Sequence, residues 1–136
     1  MNIGLFFGSF NPIHLGHLFI ANHMAHHTDL DEVWFIVSPQ NPFKEKKNLL
    51  SEYDRLHLVN LSIEDNPKLR SKDIEFYLPK PSYTIDTLIF LEEKYTNKVF
   101  EMATQRTFCP FPMLEFIVIG SCAVKREILV AMVLPP

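Results

Sequence analysis

Glycine is scarce in this chain, four among 136 residues, yet two of the four stand inside one stretch, GSFNPIHLGH at residues 8–17. Cysteine is scarcer. Cys109 and Cys122 are the only two, and they have neither the density of a secreted disulfide scaffold nor the spacing of a zinc site. Two reduced thiols in a cytoplasmic protein are expected. No basic stretch precedes the apolar residues near the N-terminus, and LFF breaks at Gly8, so no signal peptide is expected. Long apolar runs are missing too. The longest, ILVAMVL at residues 128–134, falls far short of the ~20 residues that span a bilayer. Nor is there a surplus of positive charge: thirteen Lys and Arg face sixteen Asp and Glu, a net charge of -3. That balance argues against a nucleic-acid or acidic-membrane partner, while leaving room for a small phosphorylated ligand held by a few local groups.

What is present suits a buried core in one domain: 47% hydrophobic residues, twelve of them phenylalanine. Residues 2–7 read as a continuous apolar strand, as in a parallel sheet covered on both faces. A helix of about three turns follows through HLGHLFIANHMAHH, with Leu15, Leu18, Phe19, Ala21, Asn22 and Ala25 at near-helical spacing. VWFIV at 33–37 reads as a second strand, and SPQNPFKEKKN as a solvent-facing loop. Ser51 and Asp54 resemble a capping box opening a second helix, with Leu56, Val59, Leu61 and Ile63 on its apolar side. KLRSKDIEFY predicts a third strand, and TIDTLIFLEEKY a third helix burying Ile85, Leu88, Ile89 and Leu91. This alternation predicts an α/β fold, a Rossmann-like, doubly wound and mostly parallel sheet with right-handed crossovers.

Ligands of such sheets bind outside the carboxyl ends of the strands, where residues 8–17 lie. Gly8 lets the backbone come close to a ligand, Pro12 stiffens the loop, and the helix aims its positive end and free N–H groups at the same place. With the helix starting near Leu15, His14 and His17 face one side, with the bare surface of Gly16 between them. Neutral imidazoles there would donate hydrogen bonds to phosphate oxygens, and protonated ones would add charge. His23 and His27, at i and i+4, have no evident further ligand, so no metal site is expected. The C-terminal helix dipole accounts for them and for His26.

GSFNPIHLGH resembles the T/HxGH signature of the nucleotidyltransferase superfamily. Together with KPSYTIDTL at 80–88, the first hundred residues are similar to the nicotinate-nucleotide adenylyltransferase family. The resemblance implies a Rossmann-like fold and transfer of AMP from ATP, with Mg2+, to nicotinate mononucleotide, giving deaminoNAD and pyrophosphate. It implies that backbone around Gly8, Ser9, Phe10 and Asn11 cradles ATP and that His14, His17 and Lys44 act on its phosphates. Tyr83 and Thr84 would meet the nicotinate mononucleotide, largely through backbone groups. Asn11 stands where the family has aspartate, removing a negative charge from the phosphate site. Two rivals are a related adenylyl- or cytidylyltransferase with another acceptor, against which residues 80–88 argue, and a nucleotide-binding domain without turnover.

The likeness thins in residues 101–136. FIVIG at 116–120 reads as a buried strand, but Cys122 stands at the family's aspartate, and the late ISSTxIR motif has no counterpart. Arg106 and Arg126 lack its context. With CPFP and an uninterrupted apolar end, this tail reads as the product of a shifted or truncated frame rather than a diverged domain. The fold is therefore expected to be incomplete at its C-terminus, with exposed sheet edge that invites homo-oligomers.

Overall fold

The computed structural model describes residues 1–39, 49–103 and 117–119. Its elements follow in the order β1 (Asn2–Gly8), α1 (Leu15–His27), β2 (Glu32–Val37), α2 (Glu52–Ile63), β3 (Leu69–Lys72), α3 (Thr84–Lys94), β4 (Val99–Ala103) and β5 (Ile117–Ile119). The strands form one sheet in the order β3-β2-β1-β4-β5. β1 pairs in parallel with β2 and β4, β2 pairs in parallel with β3, and β5 runs antiparallel beside β4.

Strand periodicity sorts the apolar residues onto two faces. Phe6, Val33, Phe35 and Val37 point to the side covered by α1 and α2, where they meet Ala21, Met24, Ala25, Val59 and Ile63. Ile3, Leu5, Trp34, Ile36, Phe100 and Met102 point the other way, to Leu88 and Leu91 of α3. Both faces are therefore covered, which explains why β1 and β2 read as continuous apolar runs. At Gly4 a methyl group would stand 2.7 Å from Leu30 Cδ1 and 3.1 Å from Met24 Cε, so the small residue lets the segment that closes α1 lie close on the sheet.

Several expectations need correcting. The third strand stops at Lys72, and Ile74–Phe76 form a 3-10 turn. Ile74 packs with the α3 side and Phe76 with the α1–α2 side, which a strand of period two could not achieve. A strand at 99–103 was not foreseen, although Phe100 and Met102 alternate inward as strand residues do. On α1, Leu15 and Phe19 are 82% and 63% exposed, because the sheet-facing stripe runs through Ala21, Met24 and Ala25 instead. Leu61 and Ile89 likewise face outward, while Arg55 and Thr87 are buried. Among the described residues, no helix is long and apolar enough to cross a membrane.

Candidate functional site

The strand order reverses at β1, with β2 on one side and β4 on the other. The crevice beyond the carboxyl end of β1 is therefore the switch point of the sheet, where doubly wound folds bind ligands. Residues 8–17 fill it.

Their shape is set by Phe10. Its φ of 45° is left-handed, a conformation costing a non-glycine residue about 1–2 kcal/mol. Burial offsets the cost: the ring is 1% exposed, packed against Phe6, Phe35 and His17 with centroids 5.6, 5.2 and 5.1 Å away. Gly8 is required for the same reason. A methyl there would stand 2.8 Å from the ring of Phe10. The lack of a side chain at Gly8 thus makes room for the chain's own aromatic ring. Of Phe10, only the backbone remains for ligand contact.

His14 and His17 share one capping arrangement. His14 is the N-cap of α1, and its Nδ1 accepts from Gly16 N at 3.1 Å. His17, at the third helical position, accepts from His14 N through its own Nδ1 at 3.2 Å. This is a capping box built from two histidines, where serine and glutamate are usual. The rings lie tilted against each other, with centroids 3.7 Å apart and planes at 32°. A methyl on Gly16 would press on the His14 ring at 3.0 Å.

The chemistry follows from which nitrogen is used. An Nδ1 that accepts a hydrogen bond carries no proton, so each neutral ring has its N–H at Nε2. Two first-turn amides are engaged within the turn, since Gly16 N bonds His14 Nδ1 and His17 N bonds the His14 carbonyl at 3.0 Å. The N–H donors that the two neutral rings add at this end of the helix are their Nε2–H groups. Burial, and then the neighbouring His14, lower the pKa of His17 from the ordinary histidine value. The neutral donor form is thus the one favoured at His17, and protonation there would also break the cap.

Asn11 accepts from Leu50 N at 3.0 Å through Oδ1, a bond that the family's aspartate would also make. Gly8 O accepts from Ser38 N at 2.9 Å. These contacts bring Gly8, Ser9, Phe10, Asn11, His14 and His17 together beside the segments flanking residue 44. Lys44 itself lies outside the described residues, as do Cys109, Cys122, Arg106 and Arg126. Tyr83, 45% exposed, is the N-cap of α3 without a side-chain cap, and Thr84 is the first helical residue. Their loop adjoins the start of α2, where Lys80 pairs with Glu52 at 2.7 Å. The Asn11–Pro12 and Lys80–Pro81 peptides are both cis.

Two residues were not anticipated. Arg55 is fully buried and donates to four carbonyls: Ser9 (2.5 Å), Ser38 (2.8 Å), Pro39 (3.0 Å) and Leu50 (3.0 Å). Burial lowers its pKa from the usual arginine value. Glu75 is 2% exposed and accepts from Ser82 Oγ at 2.8 Å and Thr87 Oγ1 at 2.9 Å, the residues that bracket Tyr83 and Thr84. Neither stands in the quoted motifs. The one signal in the sequence was a charged residue on the side of α2 that otherwise carries Val59 and Ile63. His23 and His27 stack at 4.7 Å, and among the described residues no group of three His, Cys, Asp or Glu side chains is placed to hold a metal ion.

Comparison with known proteins places this geometry. The model of the cytidylyltransferase-like family matches residues 5–126. A probable nicotinate-nucleotide adenylyltransferase of Cytophaga hutchinsonii is 63% identical over 100 residues, covering 74% of this chain and 52% of that protein. One of Flavobacterium psychrophilum is 59% identical over 102 residues, covering 75% and 53%. The chain thus spans about half the length of the curated relatives it matches. Among solved structures, the Plasmodium falciparum nicotinic acid mononucleotide adenylyltransferase complexed with NaAD superposes with a TM-score of 0.64 at 21% identity, covering 76% of this chain and 51% of that one. At that identity the match bears on the fold alone.

Proposed function

Because the chain belongs to the cytidylyltransferase-like family, we propose that the junction of β1 and α1 holds the phosphates of ATP and that the protein transfers AMP to nicotinate mononucleotide. DeaminoNAD and pyrophosphate are the products. The observation that carries this reading is the pair of imidazoles at the switch point whose Nδ1 atoms cap α1, so that each neutral ring keeps its N–H donor at Nε2. The names of the relatives, nicotinate-nucleotide adenylyltransferases, support the choice of acceptor.

In this reaction a phosphate oxygen of the mononucleotide attacks the α-phosphorus of ATP, and the bond from that phosphorus to the bridging oxygen breaks. Pyrophosphate leaves with the bond's electron pair. The nucleophile is already ionised, so no general base is needed. Charge grows on the phosphoryl oxygens, and fixed donors at His14 and His17 stabilise it without reorganising. Backbone around Gly8, Ser9, Phe10 and Asn11 would line the ATP side, and Lys44 would join from the loop after β2. Tyr83 and Thr84 would meet the mononucleotide at the start of α3. The Mg2+ of this chemistry would arrive with the ATP substrate, coordinated by its phosphates.

A binding-only reading is favoured by one sequence fact: Cys122 stands at the family's aspartate. One assay separates the two. Purified protein is incubated with MgATP and nicotinate mononucleotide, nicotinamide mononucleotide or phosphopantetheine, and pyrophosphate and dinucleotide are measured. DeaminoNAD formation supports the proposal. Pyrophosphate with another acceptor alone refutes the substrate assignment, and ATP binding without any product supports the binding-only reading.

A further inference from the structure

Arg55 and Glu75 are the two fully buried charged side chains among the described residues, and neither is hydrogen-bonded to an opposite charge. An apolar side chain of similar volume would fill either place without the desolvation penalty of a buried ion. Each charge is instead surrounded by groups from the base of a different loop. The guanidinium of Arg55 draws together carbonyls at the carboxyl ends of β1 (Ser9) and β2 (Ser38, Pro39) and ahead of α2 (Leu50). Without a cation, these converging oxygen dipoles would repel one another. The carboxylate of Glu75 takes one hydroxyl proton on each oxygen, from Ser82 and Thr87, and so staples the residues on both sides of Tyr83 and Thr84. Those hydroxyl protons are thereby spent, which leaves recognition at this turn to backbone groups.

We propose that Arg55 and Glu75 are positioning residues that divide the site between them, Arg55 setting the geometry of the ATP half and Glu75 that of the mononucleotide half. The proposal rests on the adenylyltransferase reading above. The halves touch through the partly exposed Lys80–Glu52 pair and through the rings of Tyr53 and Phe76, 5.4 Å apart with Tyr53 68% exposed. Exposed contacts of this kind couple weakly, so the two clamps act independently.

The test is calorimetry with α,β-methylene ATP, which binds without transferring, followed by nicotinate mononucleotide with that analogue saturating. Arg55→Lys keeps the charge but loses the fork that reaches four carbonyls. It weakens the analogue about tenfold or more and leaves the mononucleotide within about twofold. Glu75→Gln and Thr87→Val show the reverse pattern, and Thr87→Ser, which keeps the hydroxyl, restores the mononucleotide. Thr87→Val removes a hydroxyl at nearly constant shape, so it reads the Glu75 clamp even if Glu75→Gln does not fold. Should Arg55→Lys not fold, amide exchange of the wild type reads the same division. The analogue then protects Ser38 and Leu50, and the mononucleotide protects Asp86 and Thr87. Variants that weaken both ligands alike, or neither, or protection of both sets by either ligand, overturn the division. Wild type that binds neither ligand overturns the functional reading itself, and the division with it.

Discussion

Histidine is an uncommon helix cap, and here each ring works at both edges. Nδ1 of His14 and of His17 closes the start of α1, which leaves the N–H of each neutral ring at the opposite edge, Nε2. The two roles separate by substitution. Asparagine is an excellent N-cap. His14→Asn should therefore keep the folding free energy within about 0.5 kcal/mol, read by urea unfolding. Adenylyl transfer should fall about 100-fold with the loss of one fixed donor. His14→Ala should lose both, with a stability cost of about 1 kcal/mol. His17 adds a pH dependence. Its folded pKa lies below the unfolded value, so the native state binds the proton less readily. Its contribution is complete above the ordinary value near 6.5 and is lost as pH falls below that value towards the folded one. The urea midpoint should drop between pH 7 and pH 5 more steeply in wild type than in His17→Gln, whose glutamine keeps a capping side chain. Both histidines were visible in the sequence as a pair three residues apart. That their amide-side nitrogens are occupied was not, because spacing says nothing about tautomer.

At the scale of elements, the junction of β1 and α1 is an aromatic knot with a glycine at its base. Gly8→Ala would drive a methyl into the ring of Phe10, itself held by Phe6, Phe35 and His17, whereas Gly4→Ala meets the free ends of Leu30 and Met24. Gly8→Ala should cost about 1–3 kcal/mol by overpacking, and more than Gly4→Ala, as thermal unfolding would show. Shrinking the obstacle in the double variant Gly8→Ala/Phe10→Leu should return part of the loss. The elements themselves were legible: β1, α1, β2, α2 and α3 fall where apolar periodicity and the Ser51 cap put them. The failures share a cause. Leu61 and Ile89 face outward against expectation because local spacing cannot say which stripe of a helix meets the sheet. Arg55 and Glu75 were passed over because their partners lie up to 46 and 12 residues away, in contacts that only the folded chain creates. The turn at 74–76 was hidden because its residues carry strand-like composition while serving two opposite faces.

The whole molecule gathers these parts at one edge of a sheet ordered β3-β2-β1-β4-β5. Its start of α2 touches both loops, through Leu50 and Arg55 on one side and Glu52 on the other. A ligand held at that edge binds the folded chain and not the unfolded one, so it should raise the unfolding temperature. MgATP at about 100 times its dissociation constant should add about 2.7 kcal/mol, seen as a rise in unfolding temperature that adenosine alone does not give. The edge lies in the aligned part of the chain, which spans about half the length of the curated relatives, so phosphate binding is a more direct readout than turnover. The decisive measurement is nitrogen NMR of histidine-labelled protein at pH 7.5 during titration with MgATP. The free protein should show His14 and His17 as Nε2–H tautomers, and ATP should move both Nε2–H resonances together while the Nδ1 resonances stay those of hydrogen-bond acceptors. Nδ1–H tautomers in the free protein, or Nε2–H resonances unmoved by saturating MgATP, would contradict the assignment of this junction as the seat of the phosphates.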